Sequence, residues 1–227
     1  MHIPDGFLTN EVAVACALPA LGAVAYGLRR AEVDLDDRRV PLLGVTAAFV
    51  FAAQMLNFPV AGGTSGHFLG AALAAILLGP WLASLVLAVV LVVQALVFAD
   101  GGITALGPNV FNMGVVGGVL VGGLMLAARH ALPNTRTALL GVAAGGAWLA
   151  VVAGAALCAA ELAISGTVPL STVLPAMVGV HMIIGAGEAV ITVAAVSAVL
   201  ATRPDLIHGP VPAVTSPILS TPAIGAR

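Results

Sequence analysis

Charge divides this sequence into long silent runs. Residues 40–99 contain no Asp, Glu, Lys or Arg, and the same holds for 101–128, 137–160, 162–187 and 189–202. A water-facing surface needs charge, and average soluble domains carry about 25% charged residues. Here the charged fraction is 8% and the hydrophobic fraction 60%. A soluble enzyme, a disordered chain and a nucleic-acid binder are excluded on these grounds. At about 20 apolar residues per crossing plus loops, a chain of this length accommodates about six to eight membrane helices.

Breakers within the runs predict helices at 11–28, 41–57, 66–79, 81–99, 110–128, 137–160 and 172–201. The third would rise only about 21 Å, short of the ~30 Å hydrocarbon core, and could be re-entrant. The positive charges argue that it spans. All eight are Arg: Arg29, Arg30, Arg38 and Arg39 between helices one and two, Arg129 and Arg136 between five and six, and Arg203 and Arg227 after seven. With seven crossings they fall on one side, and positive residues prefer the cytoplasm. The expectation is an all-α polytopic membrane protein with seven transmembrane helices, its N-terminus outside and its C-terminus cytoplasmic. Residues 1–202 form the transmembrane domain, and the proline-containing 203–227 reads as a disordered cytoplasmic tail. No basic region precedes the first apolar stretch, so the start is not expected to be a cleaved signal.

Few residues can carry chemistry. Cys16 and Cys158 lie far apart in apolar stretches and read as core filler. His130 and His208 read as solvated. His181 lies within helix seven and Glu188, the one firm intramembrane charge, follows a heptad later; about 10.5 Å of helix axis separates them, too far to share one ion. His67 closes a glycine-rich loop, 57–66, and opens the short third helix. On residues alone it is either a cap-region polar group or a ligand on the side where the N-terminus lies. Met1-His2 offers more. A free α-amine, the residue-2 amide nitrogen and His2 Nδ1 close fused five- and six-membered chelate rings around one divalent ion. A second imidazole completes a plane of four nitrogens, and tetragonal nitrogen sites point to Ni²⁺ or Cu²⁺. Ligating imidazoles must be neutral, so binding would depend on pH.

Four segments carry a resemblance. MHIPDGFL (1–8), QMLNFPVAGGTSGH (54–67), LGPNVFNMG (106–114) and HMIIGAGEAVIT (181–192) resemble, in order, the signatures of the CbiM/NikM family. These are the substrate-binding membrane components of energy-coupling-factor transporters for cobalt and nickel in prokaryotic cell membranes. The resemblance implies a six-helix core with an extra N-terminal helix, and an ion held by Met1, His2 and His67. Asn109, Asn112, His181 and Glu188 fall in matching motifs as residues behind the ligands. It also implies partners: a membrane coupling subunit, two ATPase subunits and a small accessory membrane protein. The chain has no G-x-x-x-x-G-K-[ST] phosphate loop, so it is expected to be no ATPase and no enzyme, with Co²⁺ or Ni²⁺ as cargo and no cofactor. Ala48 and Ala52 are the candidate small-residue contact for the coupling subunit. The separate form without a further helix leans slightly toward cobalt.

Three other readings compete. A stand-alone secondary transporter or channel would show inverted repeats and more midplane charge. A membrane metalloenzyme would need a motif such as H-E-x-x-H, which is absent. A purely structural subunit leaves Met1-His2 and the glycine loop without a role.

Overall fold

The structure is a computed structural model and describes residues 1–37 and 39–212. Arg38 and 213–227, with the Arg227 charge and most of the expected tail, lie outside the described residues. The described residues are all-α apart from one short hairpin with strands of two residues each. Its helices are α1 (Asn10–Asp34), α2 (Arg39–Gln54), α3 (Ala71–Leu78), α4 (Pro80–Val97), α5 (Leu106–Ala131), α6 (Arg136–Ile164) and α7 (Leu170–Thr202). Five of them, α1, α4, α5, α6 and α7, are long and apolar enough to cross a membrane.

The apolar runs become helices because nothing in them competes for backbone hydrogen bonds, and in a bilayer a helix is the structure that satisfies every N–H and C=O within itself. Each long helix buries one side and leaves large apolar residues outside, as with Leu18 and Leu21 on α1, Val89 and Leu96 on α4, and Ile183 and Val190 on α7. In water such a surface would be a liability; facing lipid it is the solvated side. α6 and α7 pack along most of their length. On α5 a ladder of Gly114, Gly118 and Gly122 receives α3 and α4: an added Cβ on Gly118 would stand 3.0 Å from the backbone nitrogen of Ser84. Small residues in this register let helix backbones approach closely where lipid offers no hydrophobic drive. The turns of α5 widen to π-type over Phe111–Val121.

α3 departs from expectation. The predicted helix 66–79 has only eight residues, from Ala71 to Leu78. Seven of these are buried, so α3 lies inside the bundle and touches α4, α5, α6 and α7. His67 therefore does not open the helix. Residues 67–70 run into it outside helical structure, after a hairpin pairing Phe58–Pro59 with Ser65–Gly66. The turn into α3 comes at Gly70, where φ is +77° and a side chain would be strained. Glu188 of α7 explains why the chain can turn there. Its carboxylate accepts the Leu69 N–H at 2.6 Å and the Gly70 N–H at 2.9 Å. A negative group at a helix N-terminus also complements the helix dipole. Gln54 completes the grip by donating Nε2 to the Leu69 carbonyl at 2.8 Å.

Two further expectations change. Residues 203–212, the first part of the expected disordered tail, pack on the bundle. The His208 amide donates to the Ile76 carbonyl at 2.8 Å, Arg129 donates to the carbonyls of His208 and Pro210, and Ile207 is buried. Arg129 lies in the last turn of α5 and is buried by these contacts, not free in a loop. His208 is accordingly half-buried over the Gly79 turn, whereas His130 is exposed as expected. Glu188 is not the only intramembrane carboxylate: Glu161 is buried in α6, where it accepts hydrogen bonds from Asn112 Nδ2 at 2.7 Å and Cys16 Sγ at 3.2 Å.

Candidate metal centre

The N-terminal segment runs into one end of the bundle. Met1, His2 and Ile3 are buried, at 0%, 3% and 0% exposure. Asn109 of α5 holds this segment as a strand partner would, accepting the Ile3 N–H on Oδ1 at 2.8 Å and donating Nδ2 to the Ile3 carbonyl at 3.2 Å. The Gly102 amide donates to the same carbonyl at 2.8 Å. Asp5 comes next, its Oδ1 accepting from the Thr104 amide at 2.7 Å and hydroxyl at 2.6 Å. The Met1 side chain fills a notch on α6, where a Cβ on Gly154 would stand 3.1 Å from its sulfur.

Ser65 receives the chain end. The Met1 amine donates to the Ser65 carbonyl and, at 3.0 Å, to its hydroxyl oxygen. The His2 amide donates to the same hydroxyl at 3.2 Å. Burial pushes the Met1 amine down to about 5 and the His2 imidazole down to about 3, so both are neutral near pH 7.

The imidazoles are oriented one nitrogen at a time. His2 Nε2 faces Gln94 Oε1 of α4 at 3.0 Å, an acceptor, so the ring proton sits on Nε2. His2 Nδ1 is then a buried lone pair with no hydrogen-bond partner. His67 Nδ1 donates to the Phe68 carbonyl at 2.8 Å, which leaves Nε2 bare and unpartnered. The two rings stand with centroids 4.4 Å apart at 34°. His181 Nδ1 donates to the Met177 carbonyl at 2.6 Å, and the Ser65 backbone also lies within reach of its ring. A buried acceptor without a donor is costly, and the adjacent His2 and His67 rings each carry one, with chemistry suited to a metal ion.

Of the residues singled out in the sequence, Met1, His2 and His67 come together, with His181 within electrostatic reach of them. Asn109 supports the N-terminal segment and Glu188 the segment after His67, each through backbone contacts. Asn112 serves Glu161 instead. Ala48 and Ala52 stand apart, exposed on the outer side of α2 while Thr46, Val50 and Gln54 face inward. Ser65, Gln94 and Asp100 belong to the site although no sequence pattern singles them out. Gln94 carries a signal, since it is the only strongly polar side chain in the apolar run 85–99; Ser65 acts mainly through its position. Among the described residues no three His, Cys, Asp or Glu side chains are grouped to hold a metal. That is consistent with a donor set drawn partly from the main chain: an amine, an amide and two imidazoles.

Comparisons with known proteins give the family of the chain. The family model described as the cobalt uptake substrate-specific transmembrane region matches residues 2–206. The fused nickel transport protein of Rhodobacter capsulatus is 38% identical over 230 residues, covering 91% of this chain and 64% of that one. The cobalt transport protein CbiM 1 of Pelobacter propionicus is 40% identical over 133 residues, covering 58% and 59%. A crystal structure of a truncated transition metal transporter superposes with a TM-score of 0.80 at 32% identity, over 88% of this chain and 99% of that one. The chain belongs to the CbiM family and is a multi-pass membrane component of metal transport.

Proposed function

We propose that the chain captures Ni²⁺ or Co²⁺ for an ATP-driven energy-coupling-factor importer, holding the ion in a plane of four nitrogens. These are the Met1 amine, the His2 amide, His2 Nδ1 and His67 Nε2. The observation that carries the reading is the pairing of two bare imidazole nitrogens with an amine and amide gathered on one serine. Ser65 accepts from the amine and from the amide, and only the amide proton has to leave for the ion to bind, so the buried donors are satisfied until it arrives. Nitrogen-rich square geometry suits Ni²⁺, and relatives are named for nickel and for cobalt. Asn109, Gln94 and Glu188 fix the orientation of the donors; His181 and Asn112 complete the polar surroundings.

The reading places seven crossings in residues 1–202, an extra N-terminal helix before a six-helix core. The non-helical residues 67–70 and the ~12 Å of α3 that follows them together make one crossing inside the bundle. Arg30, Arg39 and Arg129 all come within electrostatic reach of His208 at one end of the bundle, which is taken as cytoplasmic. In a protein lacking Cys16 and Cys158, Ala61→Cys should label from outside and Pro133→Cys from inside; labelling from the same side removes the seven-span reading.

The remaining machinery is supplied by partners. A coupling subunit, two ATPase subunits and a small accessory membrane protein would complete the importer, with exposed Ala48 and Ala52 as a contact surface for the coupling subunit. Vesicles containing this chain alone should take up no metal although the purified chain binds it, and adding the coupling and ATPase subunits should give ATP-dependent uptake. Uptake by the chain alone would favour a secondary transporter.

The chain end tests the site itself. A residue added before Met1 turns the ligand amine into an amide, so an N-terminal extension should abolish high-affinity Ni²⁺ binding. His2→Ala and His67→Ala should lower affinity at least about 100-fold, while exposed His130→Ala changes nothing. Full affinity in the extended protein rejects the donor set.

Proton release gives an independent check. With the amine and the His2 imidazole already neutral at pH 7, the remaining proton to leave on binding is the His2 amide's. Affinity should therefore fall about tenfold per pH unit from pH 8 to pH 6, with about one proton released per ion in calorimetry. A pH-independent affinity contradicts amide ligation.

A further inference from the structure

A cavity of about 730 Å³ opens onto the same end of the bundle and is lined in part by His2, Asp5, Asn57, Ser65 and Asp100. Its two carboxylates are held differently. Asp5 is engaged by Thr104, whose amide and hydroxyl both donate to its Oδ1. Asp100 turns toward the buried histidine: its Oδ1 stands 3.5 Å from His2 Nδ1, while Asn57 Nδ2 donates to its Oδ2 at 2.6 Å.

The contact between Asp100 and His2 is unusual. His2 Nδ1 carries a lone pair, because the ring proton is directed at Gln94, and a carboxylate oxygen carries only lone pairs. Two acceptors therefore face each other with no donor between them, and this arrangement is satisfied when a cation lies between or beside them. The backbone is bent to achieve it. Ala99 has a φ of +54°, the one positive-φ residue other than glycine among the described residues, and Gly101 follows at +92°. Gly101 packs so closely that a Cβ there would stand 3.1 Å from Asn109 Nδ2 and 3.4 Å from His2. The Asp100 amide is tied back to the Gln94 carbonyl at 3.0 Å. A strained non-glycine residue persists where the surroundings hold it, and such residues gather at ligand sites.

Charge arithmetic leads to the same residue. A divalent ion bound to one deprotonated amide and three neutral nitrogens leaves a net charge of +1 in a site shielded from water. Unpaired buried charge is strongly disfavoured. Asp100 is the carboxylate facing the donor set, and its single negative charge would bring the site to neutrality.

Resting on the four-nitrogen reading, we infer that Asp100 is the counter-charge of the captured ion. Its carboxylate receives the divalent cation at the mouth of the cavity against His2 Nδ1, and balances the ion's residual charge once the nitrogens hold it. It thus discriminates by charge, favouring a divalent over a monovalent cation in the same plane.

The test uses the purified full chain with Ni²⁺ as probe, by equilibrium titration and stopped-flow mixing at low and high salt. Asp100→Asn keeps the shape and the Asn57 contact but removes the charge, and should weaken Ni²⁺ affinity about 10- to 100-fold. Most of this should appear as faster dissociation and should persist at high salt, because a partly buried charge at short range from the ion is screened much less than a solvent-exposed one. Asp5→Asn removes a cavity charge that faces Thr104; its effect should be confined to the association rate and vanish at high salt. Thermal stability measured without metal shows whether each variant is folded, and Asp100→Glu, which restores charge, should recover part of the affinity. If Asp100→Asn binds as the parent does while His2→Ala does not bind, the counter-charge role is overturned and the four-nitrogen site stands. If Asp100→Asn and Asp5→Asn lose affinity equally and only at low salt, Asp100 is merely a steering charge and the inference is also overturned. Unchanged binding in His2→Ala would instead overturn the four-nitrogen reading itself.

Discussion

An amine and an amide N–H buried among apolar helices must find hydrogen-bond acceptors, and the amine must also shed its charge, or the fold loses several kcal/mol. The rest of this structure depends on meeting that demand at Met1 and His2. Ser65 accepts from both nitrogens, and it can do so because the hairpin Phe58–Gly66 returns the chain to the bundle at that height. The segment directly after the hairpin, residues 67–70, keeps it there. Glu188 takes the amides of Leu69 and Gly70, and Gln54 takes the Leu69 carbonyl, so the segment carrying His67 is fixed on both sides. The opposite strand of the site is fixed by Asn109, which engages both polar groups of the Ile3 backbone. Pairing backbone to side-chain amide in this way lets a chain end occupy the interior of a helix bundle without a sheet to receive it.

These contacts also create the chemistry. Each imidazole spends one nitrogen on an acceptor, Gln94 for His2 and Phe68 for His67, and thereby presents the other as a lone pair. Orienting a histidine through its far nitrogen fixes its tautomer and raises its quality as a ligand. The Ser65 hydroxyl and carbonyl hold the amine and the amide in place by accepting their protons. On the proposed reading, capture would require little rearrangement of the backbone, and selectivity would come from geometry, since a plane of nitrogens suits ions that accept four strong donors in a square.

Much of this is legible in the sequence, for stated physical reasons. Long runs free of charge favour apolar helices, so six of the helices lie near their expected places, and the structure brings Met1, His2 and His67 to one end of the bundle. The third helix is shorter than its apolar run suggests because such a run does not reveal where a helix begins. Its start depends on Glu188, which is 118 residues away from Gly70 in sequence. Ser65 is not legible because its role lies in a carbonyl and a hydroxyl placed by the hairpin, and no pattern of residue types announces that. Glu161 sits at the margin of an expected helix that proves longer, which carries it into the buried set beside Asn112 and Cys16. The tail misleads through its prolines. In residues 203–212 they shape a segment that Arg129 pins to the bundle instead of leaving it free.

The central claim is that the ion is held by nitrogen alone and in a plane. X-ray absorption spectroscopy of the Ni²⁺-loaded full-length chain, with magnetic susceptibility on the same sample, tests it most directly. The expected result is a four-coordinate, diamagnetic, square-planar Ni²⁺ with only nitrogen in its first sphere, and loss of that spectrum on N-terminal extension. A six-coordinate, paramagnetic Ni²⁺ with oxygen or sulfur neighbours would contradict it.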